Sequence, residues 1–295
     1  MKGGENMNRK IALSGTSILA ALALIGGATF AFFSDTETST GNTFAAGAID
    51  LKVDNASYYN GATSSATTWE LADLTIQKFF DFDDVKPADY GEDTISIHVD
   101  DNDAWVCADV TLTSDDENTL TTNEADAGDV TNDPDGGELA DAINFIWWAD
   151  DGDNVLETDE TVLPGGPLGS LSVGQTATVD IADANGSIYA PADLNADGAL
   201  NGTETYFIGK AWCFGAIGSD PITQDGFGNL MTPAGNNDGD LLSGTPSDGG
   251  ISCDGSNEGN ESQTDSLTAD VSFRAVQARN NSAFECTELA EPPAI

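Results

Sequence analysis

From Phe44 onward, apolar and polar residues alternate in short runs. In "AIDLKVD", Ile49, Leu51 and Val53 alternate with Asp50, Lys52 and Asp54; in "TISIHVD", Ile95, Ile97 and Val99 alternate with Thr94, Ser96 and His98. A period of two is that of a strand with one face against a core. "AWVCADVTLT" puts Ala104, Val106, Ala108, Val110 and Leu112 on one face, and "INFIWW", "QTATVDI", "TYFIGKAWCFG" and "LTADVSFRAV" supply further strands. Clusters of Asp, Asn, Gly and Pro such as "DVKPADYGED" bound these runs, as turns require. The helix signal is confined to "GGELADAI", Gly136 to Ile143, two turns at most. The pattern predicts an all-β protein: an antiparallel β-sandwich of jelly-roll type with long acidic loop insertions at 114–137 and 215–266.

Ahead of the strands the pattern changes. Arg9-Lys10 precede an uncharged run from Ile11 to Phe33, 23 residues, long enough to span a bilayer. Gly26-Gly27 weaken a helix there, Ala31 is small with Thr29 two before it, and Asp35 and Glu37 follow in place of a basic flank. These features predict a signal peptide, residues 1–31, cut between Ala31 and Phe32, rather than a retained anchor.

Charge narrows the function classes. The chain has 51 acidic residues against 9 basic ones. Without its first 31 residues, which hold Lys2, Arg9, Lys10 and Glu5, it keeps 50 acids against 6 bases, a net −44. Such a field repels nucleic acid and anionic lipid and attracts cations. It suits divalent-metal sites, a surface solvated for high salt, or both. Cys107, Cys213, Cys253 and Cys286 are an even set in an exported chain, so two disulfides are expected. None has Cys-x-x-Cys spacing, which argues against zinc or a thioredoxin-like site. Three pairings are open; Cys213 with Cys253 is preferred, because it would staple the Gly- and Asn-rich stretch between them.

Calcium chemistry is written most clearly in "DLNADGALNGTE", Asp193 to Glu204. Against a twelve-residue calcium loop, Asp193, Asn195 and Asp197 fall at positions 1, 3 and 5 and Gly198 at the sharp turn. Ala199 offers its carbonyl at 7, Leu200 is the apolar anchor, Asn201 stands at 9, and Glu204 is the bidentate carboxylate at 12. "ADDGDNVLETDE", Ala149 to Glu160, places Asp151, Asp153, Val155, Glu157 and Glu160 at 3, 5, 7, 9 and 12. Position 1 there is Ala149, so one ligand is missing unless Asp150 swings in. Asn154 replaces the turn glycine, which its tolerance of a left-handed backbone permits. Ca2+ is therefore the expected cofactor, in a structural role.

Catalytic signatures are sparse. His98 is the single histidine, and one imidazole cannot furnish an ordinary zinc-protease site. Gly-x-Ser-x-Gly and phosphate-loop patterns do not occur. Pairs such as Asp83-Asp84 are expected by chance at this acid content, and Trp147-Trp148 read as core and its rim. A non-enzyme is the expectation.

The stretch "GGATFAFFSDTETSTGNTFAAGAIDL" resembles the amino terminus of the TasA/camelysin family of secreted matrix-fibre proteins, through Gly26, Gly27, Ala31, Phe33, Asp35, Thr43, Phe44, Gly47, Asp50 and Leu51. "DFDDVKPADYGEDTISIHVDDNDAWVCADVTL" is similar to that family's Lys-Pro-Gly-Asp segment and the strand pair after it, with Ala88 where glycine is usual. "LTADVSFRAVQARN" is similar to its closing strand, with Phe273, Ala275 and Gln277 in place. The resemblance implies a jelly-roll domain over residues 44–286 with a tail over 287–295, released by a dedicated signal peptidase. It also implies assembly of identical subunits into head-to-tail extracellular fibres, each completed by the neighbour's freed amino-terminal strand. Residues 32–43 would be that donor and its tether, with Phe32, Phe33 and Phe44 as anchors and "SDTETSTGN" as the reach between them. The implied protein is secreted, at the cell surface or in a matrix, and free of membrane after leader removal. Two alternatives are a camelysin-like surface metalloprotease and a monomeric calcium-binding adhesin.

Overall fold

The computed structural model describes residues 34–37, 49–100, 102–131, 135–189, 198–223 and 249–286. Fourteen strands lie among them. In chain order they begin with β1 (Ser34–Glu37), β2 (Asp50–Tyr59), β3 (Ala62–Thr63), β4 (Trp69–Ala72), β5 (Tyr90–Asp100) and β6 (Ala104–Asp116). Two short helices follow, α1 (Thr122–Ala127) and α2 (Leu139–Ala142). Next come β7 (Ile143–Asp150), β8 (Val162–Pro167), β9 (Thr176–Asp183), β10 (Gly186–Ser187) and β11 (Thr205–Phe214). The last three are β12 (Ala216–Ser219), β13 (Ile251–Asp254) and β14 (Ser266–Gln277).

Every strand pairing is antiparallel. One sheet runs β3-β2-β5-β11-β7-β8, with β4 also on β2; a second runs β1-β14-β6-β9-β10; β12 and β13 pair apart. The alternation read from the sequence sets which face is inward. Leu51 and Val53 on β2 and Ile95, Ile97 and Val99 on β5 join Trp105 and Ala108 on β6, Ile181 on β9 and Phe273 and Ala275 on β14 in one core. Burying each such aliphatic or aromatic side chain contributes about 1.5–3 kcal/mol. The β2–β3 hairpin turns on Asn60 (φ 47) and Gly61 (φ 75), the pair of positive φ values that matches strand twist. No helix among the described residues is long and apolar enough to cross a membrane.

Several boundaries differ from expectation. Ser114 to Asp116 continue β6 instead of opening the first insertion, because they pair with Thr268 to Ser266 on β14. That insertion also contains α1, started by a reciprocal capping box in which the Thr121 hydroxyl accepts from Glu124 N and the Glu124 carboxylate from Thr121 N. The second insertion contributes β12 and β13, so its two ends belong to the packed body. The polar segment expected to be a tether includes β1, which pairs Ser34 with Val276 through Glu37 with Phe273 of its own chain. Both disulfides form, Cys107–Cys286 and Cys213–Cys253, the second being the preferred pairing.

Candidate cation-binding loop

The loop after β7 is held from below by a small apolar cluster. Ile146, Trp148, Leu156, Ala211 and Ile251 are buried together, with Ile217 packed against them. Trp148 lies flat on β11 because residue 209 is glycine; a Cβ there would stand 2.0 Å from Trp148 Cε2. Its indole Nε1 donates to Asp150 Oδ1 at 2.9 Å, and Asp150 Oδ2 accepts from Gly152 N (2.9 Å) and Asn154 N (3.2 Å). Asp150 thus caps the first turn of the loop, one residue after Ala149 at position 1. Asn154 adopts φ 62, the left-handed conformation expected of it, and Asp153 Oδ1 takes Val155 N at 2.9 Å.

The far end closes on Glu160. Its Oε1 accepts from Asp151 N at 3.1 Å and its Oε2 from Glu157 N at 2.9 Å. One carboxylate oxygen each of Asp151, Glu157 and Glu160 lies within 4.8 Å of the other two. Leu156 is the apolar anchor; its N–H donates to Gly249 O and its carbonyl accepts from Ile222 N. The ends of the second insertion therefore wall the loop, and the Cys213–Cys253 bridge ties that wall to β11.

The buried acidic group of this loop could hold a metal ion. Burial, then the charge of Asp153, raises the Asp150 carboxyl; burial, then the charge of Asp150, raises that of Glu160. Both amide atoms of the Asn154 side chain are buried without a hydrogen-bond partner, so the loop has polar capacity that the protein itself does not satisfy. Carboxylate and amide oxygens are the donors a hard cation takes, and these residues fit one.

Only the second half of the Asp193 to Glu204 loop falls within the described residues; Asp193, Asn195 and Asp197 lie outside them. Gly198 has φ +90, as the sharp turn requires. Ala199 and Leu200 are buried, and Leu200 exchanges two backbone hydrogen bonds of 2.9 Å with Ala104. Asn201 N donates to Tyr206 Oη, and Glu204 Oε2 is buried without a hydrogen-bond partner. Ala31, Phe32, Phe33 and Phe44 also lie outside the described residues, as does the 287–295 tail.

His98 stands apart from all of these. Its Nε2 meets Ser96 Oγ at 2.9 Å and its Nδ1 meets Thr205 Oγ1 at 3.1 Å, with Asp54 Oδ2 at 3.9 Å from Nε2. Among the described residues, His98 belongs to none of the groups close enough to share a metal. The donors present do not fit a histidine-ligated zinc centre. One largely buried group escaped the sequence reading altogether: Glu117, Glu124 and Asp129 from the first insertion, Glu138 just after it, and Asp265 from the second.

A search of curated proteins finds no match. The family model described as camelysin metallo-endopeptidase matches residues 6–163, which reach the start of β8 and include β2, β5, β6, β7 and the 150–160 loop. The chain belongs to the camelysin family.

Proposed function

We propose that this protein is an extracellular structural subunit of jelly-roll type that polymerises by donating its amino-terminal strand to a neighbour, with calcium bound in the 150–160 loop and in the loop ending at Glu204. Family membership and two disulfides suit an extracellular protein. The observation that carries the reading is the edge of β14. β1 covers only Phe273 to Val276 of this twelve-residue strand, and among the described residues no strand lies beside Ser266 to Ser272 on that side. An edge with no neighbouring strand among the described residues offers N–H and C=O groups in register with the slot already used by β1. The strand that fills this slot comes from the segment directly after the expected cut at Ala31, so the same residues can serve their own chain or the next.

The reading is tested by electron microscopy of protein that starts at Phe32, beside protein that starts at Phe44. Filaments from the first and dispersed monomers from the second are expected, with Phe33→Asp shortening or abolishing filaments. Filaments of normal length from the Phe44 form would overturn it. The family's description as an endopeptidase has its own test: caseinolysis by pure protein that a chelator abolishes would replace the structural reading with a catalytic one.

A further inference from the structure

Four stretches of chain converge beyond the end of the β6–β14 ladder. Glu117 directly follows β6, Glu124 sits in the first turn of α1, Asp129 follows that helix, Glu138 precedes α2, and Asp265 directly precedes β14. One oxygen each of Glu117, Asp129 and Glu138 lies within 4.8 Å of the others, and the same holds for Glu117, Glu124 and Asp265. Glu117 is common to both groups. It is 6% exposed, and no donor from outside this acidic group reaches either of its carboxylate oxygens. Asp129 Oδ2, Glu138 Oε2 and Asp265 Oδ1 are likewise buried without partners.

The other oxygens of the group are held in place by ordinary donors. Asp265 Oδ2 accepts from Glu138 N (2.7 Å) and Leu139 N (3.2 Å); Asp129 Oδ1 accepts from Thr131 N and Oγ1, both at 2.7 Å. Glu138 Oε1 accepts from Thr131 Oγ1, and Glu124 from Thr121 N and Thr264 Oγ1. Asp129, Glu138 and Asp265 are thereby oriented through one oxygen each and Glu124 through both, and Glu117 is the acid common to the two groups. The ion pairs among the described residues involve other acids, so no lysine, arginine or histidine there balances this charge.

We propose that Glu117, Glu124, Asp129, Glu138 and Asp265 form a buried site for calcium that clips the first acidic insertion to the start of β14. Buried charge without a counter-ion is costly, and a divalent cation supplies one while using the idle oxygens as ligands. Five carboxylates in one all-protein cage suit calcium, which accepts six to eight oxygens in a flexible geometry, better than magnesium, which keeps several waters.

The site is independent of the 150–160 loop, so the two are tested separately. Calcium and magnesium binding are measured by calorimetry on the mature chain, on Glu117→Gln and on Glu138→Gln. Hydrogen exchange is followed at the Glu138 and Leu139 amides. Each variant is expected to bind about one calcium fewer per chain than wild type. Calcium should slow exchange at those two amides in wild type and in Glu160→Gln, but in neither cluster variant. Unchanged calcium stoichiometry in both cluster variants would overturn the proposal. So would a Glu117→Gln protein that melts higher in chelator and keeps its full calcium response, because the carboxylates would then be sharing a proton instead of an ion.

Discussion

The substitution Glu160→Gln separates the ion from the scaffold in the 150–160 loop. Glu160 accepts two backbone N–H groups, one through each oxygen. Glutamine keeps the shape but has a single acceptor oxygen, so either Asp151 N or Glu157 N must face an amide NH2. That unsatisfied donor costs about 1–3 kcal/mol whether or not calcium is present. Calcium at a hundredfold over its dissociation constant adds about 2.7 kcal/mol to the wild type. At roughly 2–4 °C per kcal/mol for a domain of this size, that is a calcium-dependent rise in Tm of about 5–10 °C. Scanning calorimetry in calcium, in magnesium at matched ionic strength, and in chelator reads the three terms apart, because screening of so acidic a surface acts alike in both salts. The variant should melt a few degrees lower in chelator and show a smaller calcium-specific rise. A variant with the full wild-type calcium rise would refute the assignment of Glu160 as a ligand.

Three further outcomes are expected. In chelator the protein should lose stability as pH rises from about 4 toward 8, since burial raises Asp150 to about 8 and a raised carboxyl favours folding only while protonated; thermal melts should show that slope, and calcium should flatten it. Ala88→Gly should raise stability by about 1 kcal/mol in denaturant titration, because Ala88 holds φ 71, a left-handed conformation that costs an L-residue roughly that much; no gain would mean the turn relaxes at no cost. Lys210→Met should lose about 3–5 kcal/mol, since it strands buried Asp93, 2.8 Å away; Lys210→Met with Asp93→Asn should recover much of it, and additive losses would show the pair is not coupled.

What was legible in the sequence was local. The period-two runs of β2, β5 and β6 placed Leu51, Ile97 and Ala108 in the core because each strand carries its own pattern. The turn at Asn154 and the anchor at Leu156 follow from spacing within twelve residues. The α1 start was legible too, as Thr121 three residues before Glu124, but its signal was lost in a run of acids. β1 could not be read from Ser34 to Glu37, which alternate nothing apolar; those residues are a strand because β14 offers them an edge. The Glu117 cluster was out of reach for a similar reason. Asp265 is far from its partners along the chain, and only the β6–β14 pairing brings Ser266 opposite Asp116.

The pairing of β1 with its own β14 bears on how a filament would start. Exchanging that strand between neighbours breaks the four pairs from Ser34–Val276 to Glu37–Phe273 in one chain and remakes the same four between two. Those ladder bonds cancel, leaving the loss of translational freedom to be met by new contacts along Ser266 to Ser272. Inside one chain the strand sees β14 at a high effective concentration set by the linking segment. On the proposed reading, chains starting at Phe32 would begin as self-capped monomers, with growth that lags at first and accelerates once seeds present open ends.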